Sequence, residues 1–568
     1  MLNKEHLDRM YWALIGFICV IYGSLVIPNY DDGVYFFQIY NTIRFYNPFY
    51  NDCYGQYFHF MKPTVLLYAL LYSINNNPSF RLIALVQSAE IFTCTWLMYL
   101  CARKYASKEA SKVGVLIFLY FLVVHWFLTP TRPETTVLLC SIAVFWLCEC
   151  FSDTKKVTYL VIASAIIFLV AIPMHTNGSI PLIYFIAYIF TRRHQASQTS
   201  FVKLGVLSIV FAALGFAIIV YPSFSSLAGS LAWFTYDGRR FEQYGMFKSE
   251  YIRMQWFVSY YYFFPLIVFI VSVYGVRLLH EYRGLILINF KKYLNIILFL
   301  LAVLLGLGIL PSATWYIYTV YYYLPIILGF SVALDYYSGH TFNHYLKRCV
   351  LVLTGALTLW YSYGMMPKLY MLLYAGPFLL TAFLIRRMTA MRTMLIIIVP
   401  MLLFRTVEMM SSKVIYERAH ATIKEAQGLV LAGGMFNFCG ENIFPLEGLK
   451  TQISSSQGTN IIELKSIESV HTDLINAHPL VKLFGSTHRS HKESKWVSRR
   501  SLGNEFQLII NSTDVWKMQD CIERQVKPLH YSVTKEIPLS NKLLDRYAAP
   551  AYMRGLKCIE YRRANPTP

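Results

Sequence analysis

Between residues 10 and 408 the chain is a series of apolar stretches separated by short polar joints. They fall near 10–28, 80–102, 113–129, 134–151, 157–175, 178–191, 202–224, 256–279, 292–311, 315–337, 349–363, 368–386 and 393–408. A bilayer core about 30 Å thick takes about 20 helical residues to cross. Only helices and closed barrels leave no backbone group unpaired there. The thirteen runs therefore predict a mainly α, polytopic membrane helix bundle. A further run, Pro63–Ile74, would reach only about 18 Å as a helix, so it is read as a helix lying in the interface. The first run has no cleavage pattern and reads as a signal anchor.

The formal net charge of +20 resembles a nucleic-acid signal, but the placement of the charges excludes that class. Before residue 405 the basic residues sit in short clusters between apolar runs, such as Arg103-Lys104, Lys155-Lys156, Arg192-Arg193, Lys291-Lys292 and Arg386-Arg387. With thirteen spans and a cytoplasmic N-terminus these clusters all fall inside, as positive-inside charge bias requires. A crossing at Pro63–Ile74 would invert every later segment and place the larger basic set outside. This parity puts the C-terminus outside the cytoplasm, in a plasma (inner) membrane protein.

Five unusual stretches then share the outer face. The first is the loop Asp31–Lys62, which opens with the paired acids Asp31 and Asp32 and ends at Lys62-Pro63. Within it Gln38, Asn41 and Thr42 form a polar stripe at helical spacing among aromatics. The others are Thr129-Pro-Thr-Arg132-Pro-Glu134, His175-Thr-Asn177-Gly178, the loop Phe224–Gln255 with Asp237-Gly-Arg239-Arg240 and Arg253, and the run Trp315–Pro325 with Tyr321 and Tyr322. Each alone has a plain explanation as an interface ion pair, a helix cap or an aromatic belt. Their common side points to a polar cavity opening outward.

After about Ser411 the composition turns polar and mixed in charge. A helical pattern at Tyr416–Gln427 and strand-like runs at Gly428–Ala432, Glu505–Ile510 and Leu556–Tyr561 predict a small α/β domain outside the membrane, residues 411–568, after a membrane domain over 1–410. Most of the 11 cysteines lie in apolar runs as small hydrophobes. Cys53, Cys439, Cys521 and Cys558 face the oxidising side, and their pairing stays open. No metal-ligand spacing stands out.

The order of these motifs resembles the GT-C superfamily of membrane glycosyltransferases, nearest the protein O-mannosyltransferase and aminoarabinose-transferase branch. The resemblance rests on Asp31-Asp32-Gly-Val-Tyr after the first helix, Lys62-Pro63-Thr, Arg132-Pro-Glu134, His175-Thr-Asn-Gly and Tyr321-Tyr-Tyr-Leu-Pro325, and covers about residues 1–410. Relatives often carry Glu where Asp32 stands. The resemblance implies a sugar donor on a polyprenyl phosphate, with the sugar, the acceptor (glycan, lipid or protein) and any divalent metal left open; no cofactor is otherwise expected.

The chemistry of the residues fits that donor. No nucleotide sugars exist outside the cytoplasm, so a lipid-linked sugar is the activated donor at hand. Cleavage of its anomeric C–O bond leaves a phosphate with fresh negative charge, which Lys62 and one or more of Arg239, Arg240, Lys248 and Arg253 would stabilise. An attacking hydroxyl must lose a proton, and a carboxylate in reach takes it. Asp31 is the expected base, with Asp32 as the alternative and Glu134 orienting acceptor or base beside Arg132. His175, Asn177, Tyr321 and Tyr322 are expected to contact substrate. Two rival classes are a flippase or transporter of lipid-linked sugars, which predicts charges at mid-membrane depth, and a non-catalytic envelope assembly protein. Glu90 and Glu149 lie near or inside apolar runs, and no repeat is visible.

Overall fold

The computed structural model describes residues 4–25, 80–124, 133–192, 197–220, 264–280, 285–309, 320–339 and 343–362, single helical positions between 375 and 414, and seven strands. Among the described residues are eleven helices: α1 Lys4–Leu25, α2 Phe80–Arg103, α3 Lys108–Val124, α4 Glu134–Thr154, α5 Thr158–Met174, α6 Ser179–Arg192, α7 Gln198–Val220, α8 Phe264–His280, α9 Leu285–Ile309, α10 Tyr323–Ser338 and α11 His344–Ser362. Three of them have a stretch long and apolar enough to cross a membrane unaided: Leu85–Arg103, Glu134–Thr154 and Gln198–Ile219. Runs 368–386 and 393–408 are represented by helical positions only, so the count of thirteen reaches beyond the described residues.

Charge marks one end of the bundle. Asp8 of α1 accepts hydrogen bonds from Lys108 and Lys112 at the start of α3, and Lys104 pairs with Asp153 at the end of α4. The two lysines hold the Asp8 carboxyl down to about 2, Lys108 contributing most. The opposite end of α1 meets the last helical residues. Tyr22 shares a hydrogen bond with Thr406 (2.8 Å), and Lys413 Nζ donates to the Ser24 carbonyl (2.7 Å). The N-terminus of α1 and Lys413 thus lie at opposite ends of the bundle.

Between these ends the core is aliphatic and aromatic. α4 packs on α2 and α6, α9 on α6, and α10 on α3 and α8. Phe145, Tyr184 and Phe299 meet where α4, α6 and α9 converge. One buried polar knot interrupts this core near the Asp8 end. Glu149 Oε1 accepts from Tyr105 Oη (2.7 Å) and from the Asn295 carboxamide, tying the α2–α3 turn, α4 and α9 to one oxygen. A carboxyl buried in the bilayer is costly unless it is partnered in this way.

The chain after residue 430 forms an antiparallel sheet in the order β3-β4-β5-β7-β6, from Phe436–Phe438, Glu441–Pro445, Glu505–Ile510, Lys557–Arg563 and Tyr531–Pro538. The expected strand over Glu505–Ile510 is present, and the one near Leu556–Tyr561 runs from Lys557 to Arg563. The expected strand over Gly428–Ala432 and the helix over Tyr416–Gln427 lie outside the described residues, so what is described beyond Val414 is β alone. A short hairpin, β1 Tyr50–Asn51 with β2 Gln56–Tyr57, stands in the first loop. The sequence did not signal it. The polar stripe at Gln38–Thr42 lies outside the described residues, and of Pro63–Ile74 only Leu67 and Leu70 are described, both helical.

Candidate active site at the Ser24 end of the bundle

Glu134 is the first residue of α4 and is buried, 3% exposed. Pro133 before it supplies a fixed φ and needs no hydrogen-bond partner, which suits the start of a helix. A carboxylate in this first turn also faces the partial positive charge of the helix N-terminus. α4 ends on Lys155 in the left-handed region (φ 59°), its N–H bonded to the Phe151 carbonyl. Since Asp153 is at the Asp8 end, the 21 residues of α4 carry Glu134 to the Ser24 end.

α5 runs back to the same end. Its Ile167–Ala171 segment is π-helical. Pro173 explains the widening, because it lacks the N–H that would bond the Leu169 carbonyl and its ring crowds that group. Helix geometry stops at His175, which is extended (φ −163°, ψ 156°), and a 3-10 turn over Thr176–Gly178 leads into α6. The Asn177 N–H donates to His175 Nδ1 (3.2 Å), and the Gly178 N–H to the His175 carbonyl (2.8 Å). Gly178 is required by close approach: a Cβ there would lie 2.0 Å from the Ala171 carbonyl oxygen. Gly215 of α7 meets the same widened segment, where a Cβ would lie 2.1 Å from the Phe168 oxygen. The turn packs on α4, α5 and α6, with Asn177 fully buried and neither its Oδ1 nor its Nδ2 hydrogen-bonded.

Tyr321 and Tyr322 are buried in a 3-10 turn leading into α10, whose first turn holds Pro325. Proline is tolerated there because first-turn N–H groups have no helical partner. Tyr323 lies against Phe118 and Phe121 of α3, 6.3 and 5.5 Å between ring centroids. Phe121 is far along α3 from Lys108, so the tyrosines too are at the Ser24 end.

The structure thus brings the turn of His175 and Asn177 against the helix of Glu134, and sets Tyr321 and Tyr322 at the same end of the bundle. Asp31, Asp32, Lys62, Arg132, Arg239, Arg240 and Arg253 lie outside the described residues. Among the described residues no group of three or more His, Cys, Asp or Glu is placed to hold a metal. One contact at this end was not anticipated from the sequence: Thr136 Oγ1, in the first turn of α4, donates to Glu90 Oε1 of α2 (2.9 Å).

The chain matches the crystal structure of ArnT from Cupriavidus metallidurans bound to undecaprenyl phosphate over 98% of both chains, with a TM-score of 0.50 at 12% identity. The fold is shared with that protein along nearly the whole length of both chains. Arabinosyltransferase EmbB from Mycobacterium smegmatis aligns over 72% of this chain and 41% of its own, with a TM-score of 0.49 and 14% identity. The Archaeoglobus fulgidus oligosaccharyltransferase aligns over 74% and 58%, with a TM-score of 0.43 and 14% identity. At those scores neither adds to the argument. No protein-family model matches the sequence, and no curated protein does. This shared fold and the three described helices long and apolar enough to cross a membrane agree with a helical membrane protein, and the likeness read from the order of Asp31-Asp32, Lys62, Arg132-Pro-Glu134 and His175-Thr-Asn-Gly holds for the fold alone.

Proposed function

We propose that the protein is a glycosyltransferase that moves a sugar from a polyprenyl-phosphate donor to an acceptor hydroxyl on the extracytoplasmic face of the membrane. The observation that carries this reading is the GT-C fold shared along nearly the whole length of both chains with a protein crystallised with undecaprenyl phosphate. The sequence supports it through paired acids and cationic groups assigned to one side of the membrane.

Asp31 takes the proton of the acceptor hydroxyl as that oxygen attacks the anomeric carbon. The C–O bond to the phosphate breaks, the electron pair leaves with the phosphate, and configuration inverts. Asp32 is the alternative base. Lys62, with Arg239, Arg240 and Arg253, stabilises the phosphate charge that develops. Glu134 and Arg132 orient the acceptor, with His175, Asn177, Tyr321 and Tyr322 as further substrate contacts.

The test uses full-length protein in proteoliposomes, supplied with polyprenyl-phosphate sugars and acceptor-bearing membrane extract from the cells that make it. The native protein is expected to release polyprenyl phosphate and glycosylate an extract component, both followed by mass spectrometry. Asp31→Asn keeps the shape and removes the basicity, so turnover should fall by about 10² or more. If Asp31→Asn, Asp32→Asn and Glu134→Gln all turn over normally, the reading is wrong.

A further inference from the structure

Glu90 is an ionisable residue on a membrane helix, and neither the acid–base scheme nor the phosphate clamp uses it. It lies near the middle of the 24-residue helix α2, Phe80–Arg103. A charged side chain at the centre of a spanning helix costs about 2.5–3.5 kcal/mol on insertion scales. A threonine alone would not require it, because threonine in a helix satisfies itself on its own backbone. Thr136 instead donates to Glu90 Oε1. Gln87 and Ser88, buried one turn toward the outer face, extend the polar strip on α2, and Glu134 and Thr135 face the same end from α4. The Glu90–Thr136 hydrogen bond is therefore a cross-helix tie to the single turn that carries Glu134.

We propose that Glu90 is a positioning residue for the acceptor side of the reaction: through Thr136 it fixes the first turn of α4 and so the direction in which Glu134 is presented. This rests on the glycosyltransferase reading of Glu134. A carboxylate beside the α4 N-terminus is also favoured by the helix dipole, which holds the turn wound as substrate enters. Because the tie acts on acceptor orientation, it governs the partition between transfer to acceptor and hydrolysis of donor by water. Water is small and needs no orientation by Glu134.

The experiment reads that partition in full-length protein in proteoliposomes, with polyprenyl-phosphate sugars and acceptor extract from the producing cells. Glycosylated acceptor and free sugar are quantified together. Glu90→Gln and Thr136→Val should each lower the ratio of transfer to hydrolysis about tenfold while total polyprenyl phosphate release changes little. Thr136→Ser keeps the hydroxyl and should keep the native ratio. If transfer and hydrolysis fall together, or if the ratio is unmoved in both variants while Glu134→Gln moves it, Glu90 is structural and the proposal fails. Should Glu90→Gln not fold, Thr136→Val and Thr136→Ser decide alone. If Glu134→Gln itself leaves rate and ratio native, it is the acceptor reading of Glu134 that has failed, a distinct outcome.

Discussion

Tyr22 and Thr406 stand 384 residues apart in the chain and share a hydrogen bond of 2.8 Å. With Lys413 bonded to the Ser24 carbonyl, this contact closes the helical part on itself at one end of α1. Tyr22→Phe removes one hydroxyl from a buried site. Hydrogen bonds between membrane helices contribute about 0.6 kcal/mol on average, so the expected result is a small fall in thermal midpoint in detergent. Thr406→Val should cause a similar fall. The double variant should fall no further than either single one, measured as a double-mutant cycle.

Asp8 predicts an acid-sensitive element at the other end. Its folded-state carboxyl is lowered from 3.8 to about 2 by Lys108 and Lys112. A depressed carboxylate contributes stability above its unfolded value and loses it as pH falls through the folded one. The difference in thermal midpoint between the native protein and Asp8→Asn should therefore be full at pH 6, shrink below about pH 4 and be mostly lost by about pH 2. A difference that persists undiminished at pH 2 would remove the linkage.

The Glu149 knot should tolerate no partial removal. Tyr105→Phe or Asn295→Leu takes one donor from a buried oxygen that both share. An under-satisfied buried polar group costs about 1–3 kcal/mol, and chemical denaturation in mixed micelles measures it. Equal stability of the two variants and the native protein would show that water already reaches Glu149.

Gly178→Ala tests the turn that carries His175 and Asn177. The new methyl meets the Ala171 carbonyl oxygen at 2.0 Å, a backbone atom with no side-chain freedom. Overpacking of this kind costs about 1–3 kcal/mol. Thermal midpoint and sugar transfer should both drop, while the same change at Gly205, where nothing lies within 4 Å, leaves both unchanged.

Much of the membrane half was legible because lipid enforces a simple rule on long apolar runs. The break between α5 and α6 was readable from His175-Thr-Asn-Gly, which interrupts the apolar pattern with polar residues and a glycine. The start of α9 was not: the apolar run begins at 292, yet the helix begins at Leu285 and passes through Lys291-Lys292. Lysines end a hydrophobic span without ending a helix. β6 escaped because Lys535 interrupts the alternation of Tyr531, Val533 and Ile537 with Ser532, Thr534 and Glu536, at the place where the register with β7 shifts. The tie from Glu90 to Thr136 was hidden by its separation of 46 residues; in sequence Glu90 is only a charge in an apolar run. The candidate residues Glu134, His175 and Asn177 stood out because polar groups beside an apolar run are rare enough to notice.

The π-helical segment Ile167–Ala171 sets the phase of everything after it. A π turn holds one residue more than an α turn, and each residue of a helix advances it by about 100° and 1.5 Å. Because Pro173 denies the Leu169 carbonyl its helical partner, the extra residue of this wide turn is what lets α5 pass the proline and still deliver His175 and Asn177 against α4. The number of residues before the turn, and not only their identity, thus aims the turn at Glu134's helix. One codon more or fewer in this greasy stretch would redirect a polar turn without altering a single polar side chain.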